Sequence, residues 1–487
     1  MNIVWFKRDL RIVDQPALAM AINHGPIIPL VIIEPELWEQ PDLSYRHFKF
    51  YRDCLKSLQT QLADHGYDLH IEIGDARSVL SNYHEKLRFT QLFSTQETWN
   101  GWTYERDKTI HDFCKANRIT WHEPTQNGVI RRLKNRDGWA KHWQDFMNQP
   151  YPNIKNKSPI PPSGIIPNAK DIGHPIDDNL DIQEGGTQQA NNLLHSFLFT
   201  RGKPYTKAMS SPVSAFDACS RLSAHIAFGS ISIREVTQKT HQRYDELKAL
   251  PKTPDVKLWK SAMRSFLGRL HWHCHFIQKL EDDPSMEFQS LHSMYRPLDD
   301  APLEPSLYEH WKNGSTGFPL VDACMRALHQ TGWLNFRMRA MVMSIATHHL
   351  GLPWRPCALY LATQFTDYEP GIHYSQCQMQ AGRTGINTIR IYNPIKQSMD
   401  QDPDGIFIRR WVPELRNVPS SGVHQPWHYG HKQPIVDEKL AREQASKRLY
   451  SVRKQPYFRD EASNIVKKHG SRRRIKKAPN QLKLNLE

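Results

Sequence analysis

Short apolar runs and helix-period segments alternate through the first 130 residues, and that alternation limits the fold more than any other feature of the chain. Ile3 to Phe6 and Pro26 to Ile33 are apolar and rich in Ile and Val. Leu69 to Ile73 alternates and stops at Gly74-Asp75, and Leu92-Phe93 is a weaker fourth run. Between them lie Ala17 to Ile22 and Phe48 to Leu62, the latter with Tyr51, Leu55, Leu58 and Leu62 at helical spacing. Strands that alternate with helices pair in parallel, because each crossover helix returns the chain to the same edge. The pattern predicts a Rossmann-like α/β domain with a parallel sheet over residues 1–130.

The pattern then changes. Tyr151 to Gly186 carries Pro152, Pro159, Pro161, Pro162, Pro167 and Pro175 with little apolar periodicity, so residues 131–195 read as an interdomain linker. Beyond it the spacing is helical: Trp259, Ala262, Met263, Phe266, Leu270, His273 and Ile277 share a stripe, and Val321 to Leu328 and Met338 to Ile345 repeat the pattern. No strand-rich segment follows Thr200. An all-α domain is expected over residues 196–430, with a basic extension over 431–487.

With 39% hydrophobic and 23% charged residues, the chain is expected to fold and stay soluble. No stretch approaches the ~20 apolar residues of a membrane span. Met1 to Arg11 is charged and unlike a secretory signal. The seven cysteines are scattered without a Cys-x-x-Cys pair, which points to a reducing cytoplasm and away from zinc or an iron–sulfur cluster. A formal net charge of +14 favours polyanionic partners such as nucleic acid. Part of that excess sits in Lys467 to Lys477, which is either a solvated terminus or a nonspecific phosphate contact.

Motifs narrow the function. Val4-Trp5-Phe6-Lys7-Arg8-Asp9-Leu10-Arg11 opens the chain. Ser220-Arg221-Leu222-Ser223 precedes Ala227-Phe228-Gly229-Ser230-Ile231-Ser232. Trp311 to Pro319, Val321 to Arg326 and Thr331-Gly332-Trp333 follow, then Arg390 to Pro394, Gln397, Asp402-Pro403 and Trp411 to Leu415. In this order the series resembles the photolyase/cryptochrome family. The resemblance implies an antenna domain, a helical FAD domain and chemistry driven by blue light. It implies FAD contacts from Tyr205, Ser220, Arg221, Leu222 and Ser223, an ion pair of Arg339 with Asp367, and further contacts from Glu369 and His373. The serine hydroxyls and a turn leading into a helix suit a pyrophosphate; read without the family, Ser-Arg-Leu-Ser is a plain helix cap. Cys219 stands where the family usually has Thr. Glu105 aligns with an antenna-binding Glu, so a second chromophore of folate or deazaflavin type is also expected.

The departures matter as much. His373 takes the place facing the reactive flavin nitrogen, where it could donate to a reduced flavin and titrate near neutral pH. Of the family's three relay tryptophans only Trp354 is kept. Cys377 replaces the flavin-proximal one and Ala301 the distal one, which leaves Tyr374, Tyr392 or Trp333 for another route. In the substrate pocket the usual Glu and Trp align with Arg269 and Trp272, a second stacking Trp with Met379, and the usual Asn with Phe336 beside Arg337. Phe336 and Ala340 lack the His pair of the (6-4) branch. Arg269, Arg337 and Arg409 are the cationic candidates for DNA. On a helix only His271 and His275 of the His-rich run could share a metal, and none is expected. Two readings follow: a monomeric photolyase acting on pyrimidine lesions in DNA, or a cryptochrome-like photoreceptor without repair. A dark flavoprotein is a third.

Overall fold

The computed structural model describes residues 1–152, 154, 157–177 and 179–471. The stretch 472–477 of the basic tail lies outside the described residues. Five strands form one parallel sheet: β1 (Asn2–Phe6), β2 (Ile27–Ile33), β3 (His70–Ile73), β4 (Gln91–Phe93) and β5 (Thr120–His122). Their order is β3-β2-β1-β4-β5. Asn2 pairs with Ile27 and Phe6 with Val31, while Ile3 and Val4 face Leu92 and Phe93. The crossovers are α1 (Pro16–Asn23), α2 (Tyr45–Asp64), α3 (Ala76–Leu87) and α4 (Gly101–Ala116).

The period of two in β1 and β2 explains why both faces are covered. Ile3, Trp5, Ile28, Leu30 and Ile32 meet Val79, Leu80 and Ile110 on one side. Val4, Phe6, Val31 and Ile33 meet Leu18, Leu55 and Leu58 on the other. Each such side chain, fully buried, contributes about 1.5–3 kcal/mol, so a near-continuous apolar strand is stable only between two helical layers.

The remainder of the described chain is helical or irregular. It includes α5 (Trp139–Asn148), α6 (Thr187–Ser196), α7 (Ile233–Ala249) and the long α8 (Pro254–Asp282). Further on come α9 (Pro319–Thr331), α10 (Phe336–Ser344), α11 (Trp354–Gln364) and α12 (Pro370–Gln380), then α13 (Glu438–Arg453) and α14 (Phe458–His469). Pro at or near the first turn of α8, α9 and α12 costs no hydrogen bond there and sets each start.

Two boundaries need correction. Residues 131–195 are not simply a linker. Trp139, Trp143, Phe146 and Met147 form one stripe on α5 and are buried with Phe266, Leu270 and Cys274 of α8. Trp139 also packs edge-on against His271 and His275, so those histidines belong to a core. Of the expected extension 431–487, the described part to residue 471 packs as part of the fold. Leu449, Val452 and Phe458 are buried with Tyr295 and Ile389, because α13 and α14 each carry an apolar stripe among their charges.

Polar side chains join the sheet to the helices. Ser44 Oγ donates to the Thr363 carbonyl at 2.6 Å, and Arg46 donates to the carbonyls of Leu328, His329 and Gln364. Arg11 donates to the Gly229 carbonyl at 3.0 Å. Gly229 has φ +72°, and a Cβ there would lie 2.3 Å from the Arg8 carbonyl oxygen, so only glycine lets the two halves meet.

Candidate functional site

The short loop between α11 and α12 brings Asp367, Tyr368 and Glu369 under α10. Arg339 of α10 meets Asp367 as a two-pronged fork, Nη1 to Oδ1 at 2.9 Å and Nη2 to Oδ2 at 2.8 Å. Arg339 Nε donates to the Leu334 carbonyl at 2.7 Å, and the guanidinium lies 4.0 Å over Phe365. These contacts leave the fork one orientation. Burial pushes the Asp367 carboxyl up, but Arg339, Ser223 and Arg221 outweigh it and hold it below its ordinary range.

The turn at 219–223 is held from behind. Arg201 donates to the carbonyls of Asp217 at 2.8 Å, Ser220 at 2.6 Å and Cys219. The sequence does not single out Arg201, because its partners are backbone carbonyls and the Ser196 hydroxyl, which carry no motif. Arg221 sits at φ +62°, a strained value for a side chain with Cβ, with its guanidinium between Phe216 and Trp333 at 4.1 and 4.2 Å. Leu222 is buried, while Ser223 opens the short helix Ser223–Ala227 with its side chain exposed. Tyr205 packs its ring against Phe197 and Phe266, and its hydroxyl faces Arg269.

Just ahead of α12, Glu369 Oε2 accepts from Arg8 at 3.2 Å while Oε1 has no hydrogen-bond partner. Burial raises the Glu369 carboxyl, and Arg8 only partly offsets this. His273 of α8 lines a crevice with Arg8, Glu369 and Ile277. His373 packs against the rings of Phe365, Tyr368 and Tyr374, and its Nε2 lies 2.8 Å from the Ala358 carbonyl. A carbonyl only accepts, so Nε2 carries the proton and Nδ1 is left as an acceptor. Burial pushes the His373 pKa down to about 4. This corrects the sequence expectation: His373 is a neutral acceptor, not a donor that titrates near pH 7.

Two family models match the chain. The DNA photolyase model matches residues 2–145, and the FAD binding domain of DNA photolyase matches residues 266–451. The chain belongs to the photolyase/cryptochrome family. Deoxyribodipyrimidine photo-lyase of Vibrio cholerae is 28% identical, over 93% of this chain and 100% of that protein. Cryptochrome-2 of Arabidopsis thaliana is 26% identical, over 93% of this chain and 79% of that one. Among solved structures, the Sulfolobus tokodaii photolyase with two FAD molecules matches with a TM-score of 0.76 at 25% identity, covering 93% of this chain and 100% of that one. The Agrobacterium tumefaciens class III photolyase matches with a TM-score of 0.78 at 24% identity, covering 93% and 98%.

The side chains fit the FAD expected of a photolyase/cryptochrome protein. Buried polar atoms are normally satisfied. Here Arg221 Nε and Nη1, Asn335 Oδ1, Arg337 Nε, Glu369 Oε1 and both amide atoms of Gln376 have no protein partner, and all belong to the segments around the Arg339–Asp367 fork. Donors and acceptors occur together in that set, as a ligand with phosphates, hydroxyls and a heteroaromatic ring requires.

The other family positions are distributed as follows. Trp272 stacks on Phe276 at 5.5 Å and is half-buried one residue before His273. Arg269 is exposed, 5.7 Å over the exposed Phe336 ring, and Met379 is half-buried on α12. Cys377 is buried, with Sγ 3.5 Å from His373 Nε2. Trp354 is fully buried with its ring 6.4 Å from Tyr374. Glu105 lies on the outer face of α4, two-thirds exposed and paired with Lys108 at 2.8 Å. Arg409 leaves the DNA candidates: its guanidinium bonds the carbonyls of Asp404 and Val418 and the Ser420 hydroxyl, holding its own loop. Among the described residues no group of three or more potential ligands could hold a metal ion, and no helix is long and apolar enough to cross a membrane.

Proposed function

We propose that this protein is a DNA photolyase that uses bound FAD and blue light to reverse pyrimidine dimers. The chemistry bound FAD would supply, once reduced and light-excited, is one electron lent to the lesion and returned after the dimer opens. The protein's residues do the rest. Arg339 and Asp367 fix α10 against the α11–α12 loop, and Arg221 and Ser223 offer donors to the phosphates. His373 accepts through Nδ1 and keeps its face neutral, and Glu369 is the acceptor one turn earlier.

The observation that carries the repair reading is the position of Trp272. It is a half-buried indole stacked on Phe276, on the same helix as His273 of the crevice, and we offer it as the ring on which a flipped base would stack. Arg337, Met379 and Arg269 complete the proposed lesion face, and the net charge of +14 supports DNA as the partner. A second chromophore belongs to the proposal. The archaeal relative holds two FAD molecules, and Glu105 with Tyr104 is the surface offered here for a folate or deazaflavin.

One observation favours the cryptochrome-like alternative. Arg269 lies over Phe336 at the surface, a cationic and apolar pair where family photolyases present a carboxylate and an amide. The deciding experiment uses the full chain with chemically reduced flavin, blue light and oligonucleotides carrying a cyclobutane dimer or a (6-4) product. Restoration of the dimer supports repair. Loss of neither lesion, with flavin bound and reduced, favours the photoreceptor.

A further inference from the structure

Three oxidisable rings stand near His373, and they differ in one respect. Tyr374 is 5.5 Å from the His373 ring, but its hydroxyl meets the Tyr368 hydroxyl and not a carboxylate base. Trp354 lies beyond Tyr374, and its Nε1 is without a partner. Tyr368 is 5.3 Å from the His373 ring at a steep 79°, fully buried, and its hydroxyl donates to Asp42 Oδ2 at 2.6 Å. Asp42 comes from the other half of the protein, in the segment ahead of α2. It is 3% exposed, accepts also from Asn100 Nδ2 at 3.3 Å, and forms no ion pair among the described residues. Tyr368 lies between Asp367 and Glu369 in the chain, so its backbone is part of the flavin loop.

We propose that Tyr368 is the proton-coupled electron donor that photoreduces the flavin, with Asp42 as the base that takes its phenolic proton. The proposal rests on the reading that FAD occupies the site around Arg339 and Asp367. A phenol that loses an electron becomes a strong acid, so its oxidation is fast only where a base already holds the proton. The carboxylate of Asp42 is that base, in hydrogen-bond contact before light arrives. The step balances. The Tyr368 O–H bond breaks, its proton goes to Asp42 Oδ2, its electron would go to the bound, light-excited oxidised flavin, and a neutral tyrosyl radical remains. An external thiol then returns a hydrogen atom to the radical, and Asp42 releases its proton.

Trp99 is the next ring, 6.1 Å from Tyr368. The Arg8 guanidinium lies 4.1 Å over that indole. A positive hole on Trp99 would face this fixed cation at close range, whereas the tyrosyl radical is neutral. The oxidising equivalent therefore stops on Tyr368. This supplies a donor in a chain whose usual proximal tryptophan is Cys377.

The test uses full-length protein with bound oxidised flavin, frozen under blue light for electron paramagnetic resonance, with natural or ring-deuterated tyrosine. The expected radical narrows on deuteration. It is lost in Tyr368→Phe and kept in Tyr374→Phe and Trp354→Phe. Flavin bleaching with a thiol should slow by about a hundredfold or more in Tyr368→Phe and in Asp42→Asn, the size expected for loss of a positioned base. The wild-type rate should fall in D2O, and that isotope effect should disappear in Tyr368→Phe. Asp42→Asn preserves shape, so it reports the base separately from the ring. A tryptophan radical, or a tyrosyl radical and rate unchanged in Tyr368→Phe, overturns the proposal while leaving the FAD site intact. A folded chain that binds no flavin overturns the site reading and the proposal together.

Discussion

Arg8, from the loop after β1, donates to Glu369, at the head of α12, with Nη1 and Oε2 3.2 Å apart. The same guanidinium donates through Nε to Glu97 at 3.0 Å and through Nη1 to the Ala227 carbonyl at 2.9 Å. Arg8 therefore joins the sheet, the turn at Ala227 and the α11–α12 loop. Its side chain is 11% exposed and that of Glu369 8%. Removing one partner of a buried pair leaves the other charge without compensation. Arg8→Ala should destabilise the protein by about 3 kcal/mol. The double substitution with Glu369→Gln should recover about 1 kcal/mol or more, because it removes the stranded charge. Urea unfolding of the four proteins checks both figures.

Asp367 gives the flavin site an acid limit. Its folded pKa is depressed, so the fork's contribution is complete above the unfolded carboxyl pKa and is lost as pH falls through the lower folded value. Flavin release on acidification should therefore have a component below about pH 4, the ordinary carboxylate range. Asp367→Asn should lose flavin at neutral pH, because Arg339 keeps its charge without a counter-charge. Gel filtration with absorbance at the flavin band reads both.

Buried histidines set an earlier limit on the fold. Burial pushes His47, His273, His329 and His373 down to about 4, and His225 and His348 to about 3. Their unfolded value is near 6.5, so the unfolded chain takes up protons first. Stability should be full above about pH 6.5 and fall steadily toward pH 4, before most carboxylates titrate. Denaturation midpoints at pH 7, 5.5 and 4.5 should decline. Equal midpoints at 7 and 4.5 would contradict it.

Cys377 marks where the usual relay is broken. Trp354→Phe should leave the rate of flavin photoreduction within about twofold, a change of less than 1 kcal/mol in barrier. Cys377→Trp should raise the rate by placing an indole beside His373, at a packing cost of about 1–3 kcal/mol. Steady blue illumination with a reductant separates these outcomes. Abolition by Trp354→Phe would show that the route runs through α11.

Arg409 and Arg269 should part company in DNA binding. Log affinity should fall with log salt by about 0.9 per phosphate contact on duplex DNA. Arg269→Ala should reduce that slope. Arg409→Ala should leave it unchanged and instead lower the melting temperature, since its donors hold the 404–420 loop. Equal loss of slope in both would return Arg409 to the DNA surface.

The sequence by itself was enough for the alternating sheet half, the helical half and the family, and it offered the positions proposed for the flavin. Periods of 2 and 3.6 are local, and motifs such as Ser220 to Ser223 or Asp367 to Glu369 sit within a few residues of chain. It misjudged residues 139–148, where the stripe of Trp139, Trp143 and Phe146 is short and adjoins proline-rich chain. It also misjudged Arg409, because a cationic side chain reads the same whether it meets phosphate or its own carbonyls. Three features needed the tertiary structure. Arg201 holds the 219–223 turn, the Ala358 carbonyl accepts from His373 Nε2, and Asp42 meets Tyr368 across more than three hundred residues. Each is a hydrogen bond between distant segments, and its direction depends on which acceptor the fold leaves within reach. No residue type or spacing encodes that choice, because burial and geometry decide it only once both segments are packed.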